Sequence, residues 1–183
     1  MTVQIKRYTV EEFDNFVHLP ENSDKRFEFI RGEVVEVVSN NYSSEIAARI
    51  NGFLFMYLQK NPIGRLTGAD GGYQISGERY IPDVAFISKT KQPKSSHAAY
   101  NPNTPDLVVE VLSPTDTDAQ MRVKVTHYLL VKTTVWIVDP AKQQVEVYIP
   151  GRTVTLVGID GALDGGEMLP GFTLAIKDVF PET

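Results

Sequence analysis

Hydrophobic positions along the chain fall into two spacings. Over 41–60, Ile46, Ile50, Phe53, Leu54, Tyr57 and Leu58 recur at three- and four-residue intervals, the pattern of an amphipathic helix, and Asn61-Pro62 stops it. Ser43 or Ser44 is the expected N-cap. Glu45 then falls in the first turn, where the helix dipole favours a carboxylate by about 0.3–1 kcal/mol. A helix is also expected over 116–132, with Met121, Val125, Tyr128 and Leu129 on one stripe. Thr9 to Glu12 reads as a capping box opening a short helix with Phe13, Phe16 and Val17 inward, ended by Pro20. Alternation marks strands at 26–30 and 33–38, joined at Arg31-Gly32. There Phe27, Phe29, Val35 and Val37 alternate with Glu28, Arg31 and Glu36, which predicts one wet face. Further strands are expected at 65–67, 72–76 and 134–138, with a hairpin over 144–149 and 153–157. Gly77 is expected to lead into a strand at 81–87, and the tail over 168–180 to pack on the sheet.

Two runs show no polar face, Pro105 to Ser113 (PDLVVEVLS) and Ile81 to Ile87 (IPDVAFI). Both read as strands covered on both sides. Each carries an acid, Glu110 in the first and Asp83 in the second. Period-2 alternation places Glu110 on one face with Val108 and Leu112. A buried carboxylate needs a compensating partner. Two such acids on neighbouring strands could close a site for a hard divalent cation such as Mg2+. The alternative is structural: Asp83 caps a turn after Pro82, and Glu110 pairs with an Arg. Lys124 sits at the edge of the apolar stripe of the following helix. A helix folding back on the sheet would bring its ammonium to the acids, whereas a snorkelling lysine would point to solvent. Glu45, early in the first long helix, is a candidate third acid. The polar stretch 88–104 holds Lys89, Lys91, Lys94 and His97. Loops of that length are often functional, and this one suits contact with a nucleic-acid backbone or plain solvation.

Composition narrows the field. With 183 residues the chain suits one domain, and without cysteine it can form neither disulfides nor thiolate zinc sites. No run is long enough to span a membrane and the N-terminus lacks a signal-peptide core, so a cytoplasmic location is the expectation. A formal charge of −5 excludes a dedicated basic nucleic-acid coat but not a local phosphate site. The run GADGG (68–72) lacks the Lys-Ser/Thr ending and the following helix of a phosphate loop, and reads as a turn or bulge.

Taken together, the segments FEFIRGEVVEV (27–37), IPDVAFIS (81–88), PDLVVEVLSPTD (105–116), Lys124-x-x-x-Tyr128, VWIVDP (135–140) and LPGF (169–172) resemble a large bacterial family of putative restriction endonucleases of unknown function, within the PD-(D/E)XK nuclease superfamily. The resemblance implies an α/β fold with a restriction-endonuclease-like core, a central mixed β-sheet flanked by helices. An N-terminal helix and hairpin (1–40), a nuclease core (41–140) and a C-terminal hairpin extension (141–183) would form one domain over 1–183. It matches the superfamily's acids to Asp83 and Glu110. The lysine usually found two positions after the second acid is absent, since Leu112 stands there. In the resembling family that lysine is thought to have moved to the next helix, where Lys124 matches. An early-helix His or Asn of the family is not matched, as this chain has Ser43 there. Asp106 forms a second Pro-Asp pair. It lies four residues from Glu110 on one strand, roughly 13 Å away, too far to share a cation with it.

The implied activity is Mg2+-dependent hydrolysis of DNA phosphodiester bonds, with Mn2+ as a substitute. Asp83, Glu110 and the Val111 carbonyl would hold the ion, Lys124 would act as charge stabiliser, and Glu45 is the candidate third acid. Lys89, Lys91 and Lys94 would contact DNA, and a homodimer would suit cleavage of both strands. Two other classes compete: a non-catalytic nucleic-acid-binding or regulatory module on the same fold, and a hydrolase of another phosphoester.

Overall fold

The computed structural model describes residues 6–114 and 116–181. Thr115, inside the resembling segment 105–116, and the extreme ends of the expected 1–40 and 141–183 portions lie outside the described residues.

The chain opens with α1 (Val10–Val17). Its capping box is formed: Glu12 N donates to Thr9 Oγ1 at 3.2 Å and Thr9 N to Glu12 Oε2 at 2.7 Å. Strands β1 (Phe27–Ile30) and β2 (Glu33–Glu36) form a hairpin. Its two turn residues, Arg31 and Gly32, have φ of 53° and 85°, and such a tight two-residue turn requires positive φ at both. After α2 (Asn41–Lys60) come β3 (Gly64–Gly68), β4 (Gly72–Ile75) and β5 (Glu78–Tyr80). Gly71 N bonds to Gly68 O, so the GADGG run is a turn. A second positive-φ pair, Ser76 and Gly77, makes β4 and β5 a hairpin. Gly77 therefore turns the chain back, and does not lead into the Asp83 strand. That strand, β6 (Val84–Ser88), starts one residue after Asp83. Then follow β7 (Tyr100–Asn101), β8 (Leu107–Val111), α3 (Asp118–Leu130), β9 (Thr134–Asp139), β10 (Gln144–Tyr148), β11 (Thr155–Val157), β12 (Ala162–Asp164) and β13 (Thr173–Ala175).

The architecture is α/β, with a mixed central sheet of six strands in the order β11-β10-β9-β8-β6-β3. The β8–β9 pair is parallel, as the α3 crossover requires, and the other pairs are antiparallel. A second sheet, β2-β1-β5-β4-β7, was not anticipated as a layer of its own. Its strands looked like isolated pieces because the β1–β5 pairing joins residues as far apart as Phe29 and Arg79.

Period-2 alternation along β8 sorts its side chains onto two cores. Leu107, Val109 and Val111 join Ile46, Ile50 and Leu54 of α2, and the C-terminal Leu174, Val179 and Phe180 complete that layer. Each fully buried aliphatic side chain there contributes about 1.5–3 kcal/mol. Val108 faces the other way, with Val125 and Tyr128 of α3 and with Ile30, Tyr73 and Tyr80 of the second sheet. Glu110 lies on this second face. No helix among the described residues is long and apolar enough to cross a membrane.

Candidate active site

The ladder between β6 and β8 pairs Val84 with Val109 and Ala85 with Val108. One step further along the same register sets Asp83 level with Glu110. Directly opposed residues on antiparallel strands share a face, so both acids belong to the α3 side of the sheet. Asp83 Oδ2 accepts from Val111 N at 2.7 Å, which clamps the start of β6 to the end of β8. Its other oxygen takes no hydrogen bond from the described residues.

Helix α3 starts seven residues after β8 ends and folds back across this face. Tyr128 and Val125 anchor it in the core, and Lys124, one turn before Tyr128, is carried inward with them. Its ammonium Nζ lies 2.9 Å from Glu110 Oε2. The second oxygen of Glu110 accepts from Tyr128 OH at 2.7 Å. Lys124 Nζ also lies 3.0 Å from Oε1 of Glu28, a residue of β1. Glu28 Oε1 in turn accepts from Ile81 N at 2.8 Å. Glu28, Asp83, Glu110 and Lys124 border one cleft of about 320 Å3, together with Asp116 and Gln120.

Burial governs the electrostatics. Removal from water pushes the Glu110 carboxyl up to about 7, with Glu28 and Asp83 adding to the rise while Lys124 opposes it. Asp83 is raised for the same first reason, against the pull of the Val111 N–H and of Lys124. For Lys124 burial disfavours the charge, yet the Glu110 and Glu28 carboxylates more than offset this and hold the ammonium more firmly than in water. Tyr128 is raised well above its ordinary value, by burial and then by the two glutamates, so its hydroxyl stays a proton donor. Three carboxylates thus face one ammonium in a low-dielectric cleft, and the excess negative charge calls for a proton or a cation.

The donor set fits a hard cation. Asp83, Glu110 and the main chain at Val111 offer oxygen alone, and Mg2+ commonly takes one or two carboxylates with water and phosphate completing its shell. No cluster of three or more His, Asp or Glu arranged to hold a metal occurs among the described residues. A cation here would therefore take two carboxylates, Asp83 and Glu110, with main-chain, water and phosphate oxygens completing its shell.

Other expected site residues lie elsewhere. The N-cap of α2 is Asn40, whose Oδ1 accepts from Ser43 N at 2.9 Å, so Glu45 is in the second turn rather than the first. It is exposed, paired with Arg49 at 3.2 Å, and does not border the cleft. Ser43 is buried, and its hydroxyl donates to Leu112 O at 3.1 Å. Strand β6 runs away from the acids, so Lys89 leaves its far end roughly 20 Å from Asp83 at about 3.3 Å per residue. Lys91 is paired with Asp106 at 2.9 Å, while Lys89 and Lys94 are exposed. Asp106 also accepts from Ser88 N at 2.7 Å and so closes the loop base.

Sequence reasoning missed Glu28, which was placed on the wet face of its strand. All four residues of β1 are buried. The available signal was Ile30, an apolar residue two positions on and therefore on the same face.

A family model, Uma2, described as putative restriction endonuclease, matches residues 13–177. The chain belongs to the Uma2 family. The match spans both sheets and every residue of the acid–lysine cleft. Among solved structures, this Uma2 chain is similar to a putative nuclease belonging to DUF820 from Anabaena variabilis ATCC 29413. The TM-score is 0.81 at 22% identity, over 94% of this chain and 97% of that one, so the likeness shows a shared fold. No curated protein is matched.

Proposed function

We propose that this Uma2 protein is a Mg2+-dependent endonuclease that hydrolyses DNA phosphodiester bonds, with residues 1–183 acting as one domain. The observation that supports this best is the ammonium of Lys124 at 2.9 Å from Glu110, in the cleft that also holds Asp83. Two acids and a cationic donor are the parts such a hydrolysis needs, although the lysine comes from α3 and not from the strand.

In this reading Asp83, Glu110 and the Val111 carbonyl hold the ion, with Mn2+ able to replace Mg2+. When bound, the ion would supply Lewis acidity toward the scissile phosphate and make water a better nucleophile. The chain's own residues do the rest. Tyr128 fixes the Glu110 carboxylate by donating to Oε1. The Val111 N–H fixes Asp83. Lys124 uses two of its three N–H donors on Glu28 and Glu110, and the third is available to charge that develops on the phosphate. Lys89, Lys91 and Lys94 are assigned to the DNA backbone at a distance from the cleft, where they would add affinity without entering the chemistry. A homodimer would present one site to each strand. Glu45, exposed and away from the cleft, has no part in this scheme.

The test is a supercoiled-plasmid nicking assay with Mg2+ or Mn2+, comparing wild type with Asp83→Ala. Nicking by wild type that stops with the variant or with a chelator supports the assignment. DNA binding without nicking under either ion would replace it with a non-catalytic nucleic-acid-binding role.

A further inference from the structure

The geometry points to Glu28 as a positioning residue, the carboxylate that retains the Lys124 ammonium when a divalent cation engages Glu110. This rests on the cation site proposed above and adds a residue to it. In the structure Lys124 Nζ bridges Glu110 Oε2 at 2.9 Å and Glu28 Oε1 at 3.0 Å. A cation shared by Asp83 and Glu110 would have to engage a carboxylate whose Oε2 the ammonium already holds and whose Oε1 accepts from Tyr128. Two positive charges on one carboxylate repel, strongly so where water is excluded. With Glu110 as its only partner, the ammonium would either keep the cation out or be driven from the cleft.

Glu28 resolves that conflict. It is buried, and its Oε1 is fixed by the Ile81 N–H, two residues before Asp83. The residue that holds the lysine is therefore tied to the segment that presents the first acid. A cation arriving at Asp83 and Glu110 can weaken the Lys124–Glu110 contact while the Lys124–Glu28 contact keeps the ammonium beside the phosphate. Glu28 then acts through Lys124 and need not touch the ion.

A double-mutant cycle separates this role from direct ligation. Glu28→Gln keeps an acceptor for the Ile81 N–H and for Lys124 but removes the charge. Mn2+ binding is measured by titration calorimetry for wild type, Glu28→Gln, Lys124→Gln and the double variant, each first confirmed folded by circular dichroism. Lys124→Met replaces Lys124→Gln in a repeat, so the outcome does not depend on one variant folding. With Lys124 present, Glu28→Gln should weaken Mn2+ binding about tenfold, the scale on which one neighbouring charge shifts an ionic equilibrium. With Lys124 replaced, the same change should alter binding by no more than about twofold, the additivity error of such cycles. Equal losses in both backgrounds would mean that Glu28 meets the cation directly, and would overturn the proposal. No loss in the lysine background would overturn it as well. Wild type that binds no Mn2+ at all would instead remove the cation site, and this inference with it.

Discussion

Lys124→Met tests the electrostatic core of the cleft without reference to catalysis. The substitution keeps most of the apolar stem and removes the ammonium. Lys124, Glu28 and Glu110 side chains are only 10%, 7% and 6% exposed, so solvent screens them little. Removing one member of such a buried group leaves the others uncompensated, at a cost of about 3–5 kcal/mol. Against a typical stability of about 5–15 kcal/mol this is large but need not unfold the protein. The loss should depend on pH. Glu110 already sits near 7 with the lysine pulling it down from where burial would place it, against 4.5 for the free side chain, and without the lysine it moves higher. A carboxyl raised in the folded state binds its proton more tightly there than in the unfolded chain. Its stabilising contribution is complete below the unfolded value and is lost as pH rises through the folded one. Lys124 itself is raised, so in wild type its contribution is present throughout this range and fails only in strong alkali, above 10.5. Lys124→Met should therefore carry a smaller deficit near pH 5, where protonation spares Glu110 an unpaired charge, and its full deficit above about pH 8. Urea unfolding followed by far-ultraviolet circular dichroism at both pH values measures this. Equal deficits at the two pH values, or a deficit below about 1 kcal/mol at the higher one, would refute a buried charge cluster.

Three other outcomes follow from the same geometry, besides the Glu28 cycle. Asp83→Ala should abolish nicking while leaving the fold intact, as read by plasmid assay and circular dichroism. Tyr128→Phe strips a donor from buried Glu110 Oε1 and should cost about 1–3 kcal/mol in urea unfolding, more at high pH than at low. Neutralising Lys89, Lys91 and Lys94 together should flatten the salt dependence of DNA binding by up to about one unit of slope for each phosphate no longer neutralised, and an unchanged slope would return that loop to simple solvation.

The parts of the site that could be read from sequence were those whose chemistry clashed with their surroundings. Glu110 and Asp83 stood out because uninterrupted apolar runs leave an acid nowhere wet to go. Lys124 followed because a helix directly after a buried strand must fold back over it. Glu28 escaped because its strand alternates, and alternation is ordinarily the mark of a half-wet sheet. Its burial comes from α3 and the segment 81–83 packing over that face, a non-local event. The N-cap of α2 was misjudged for a local reason. Asn40 precedes serines that are themselves good caps, and the choice between them is made by the Ser43 hydroxyl turning to Leu112 O, 69 residues away. The second sheet was invisible as a unit because its defining pair, β1 with β5, carries no turn signal to announce it.

The two-faced packing of β8 also has a spectroscopic consequence. The protein's single tryptophan, Trp136, neighbours Val109 on the next strand, is fully buried, and stacks on Phe172 with ring centroids 6.3 Å apart. Its indole is packed with the α2 layer, on the side of the sheet opposite Glu110. Intrinsic fluorescence should therefore be blue-shifted in the native protein and should report the docking of the C-terminal segment that carries Phe172. Titrating a cation into the acid cleft should leave the emission unchanged, whereas release of that segment should redden it. One chromophore thus separates loosening of the tail from events at the acid cleft.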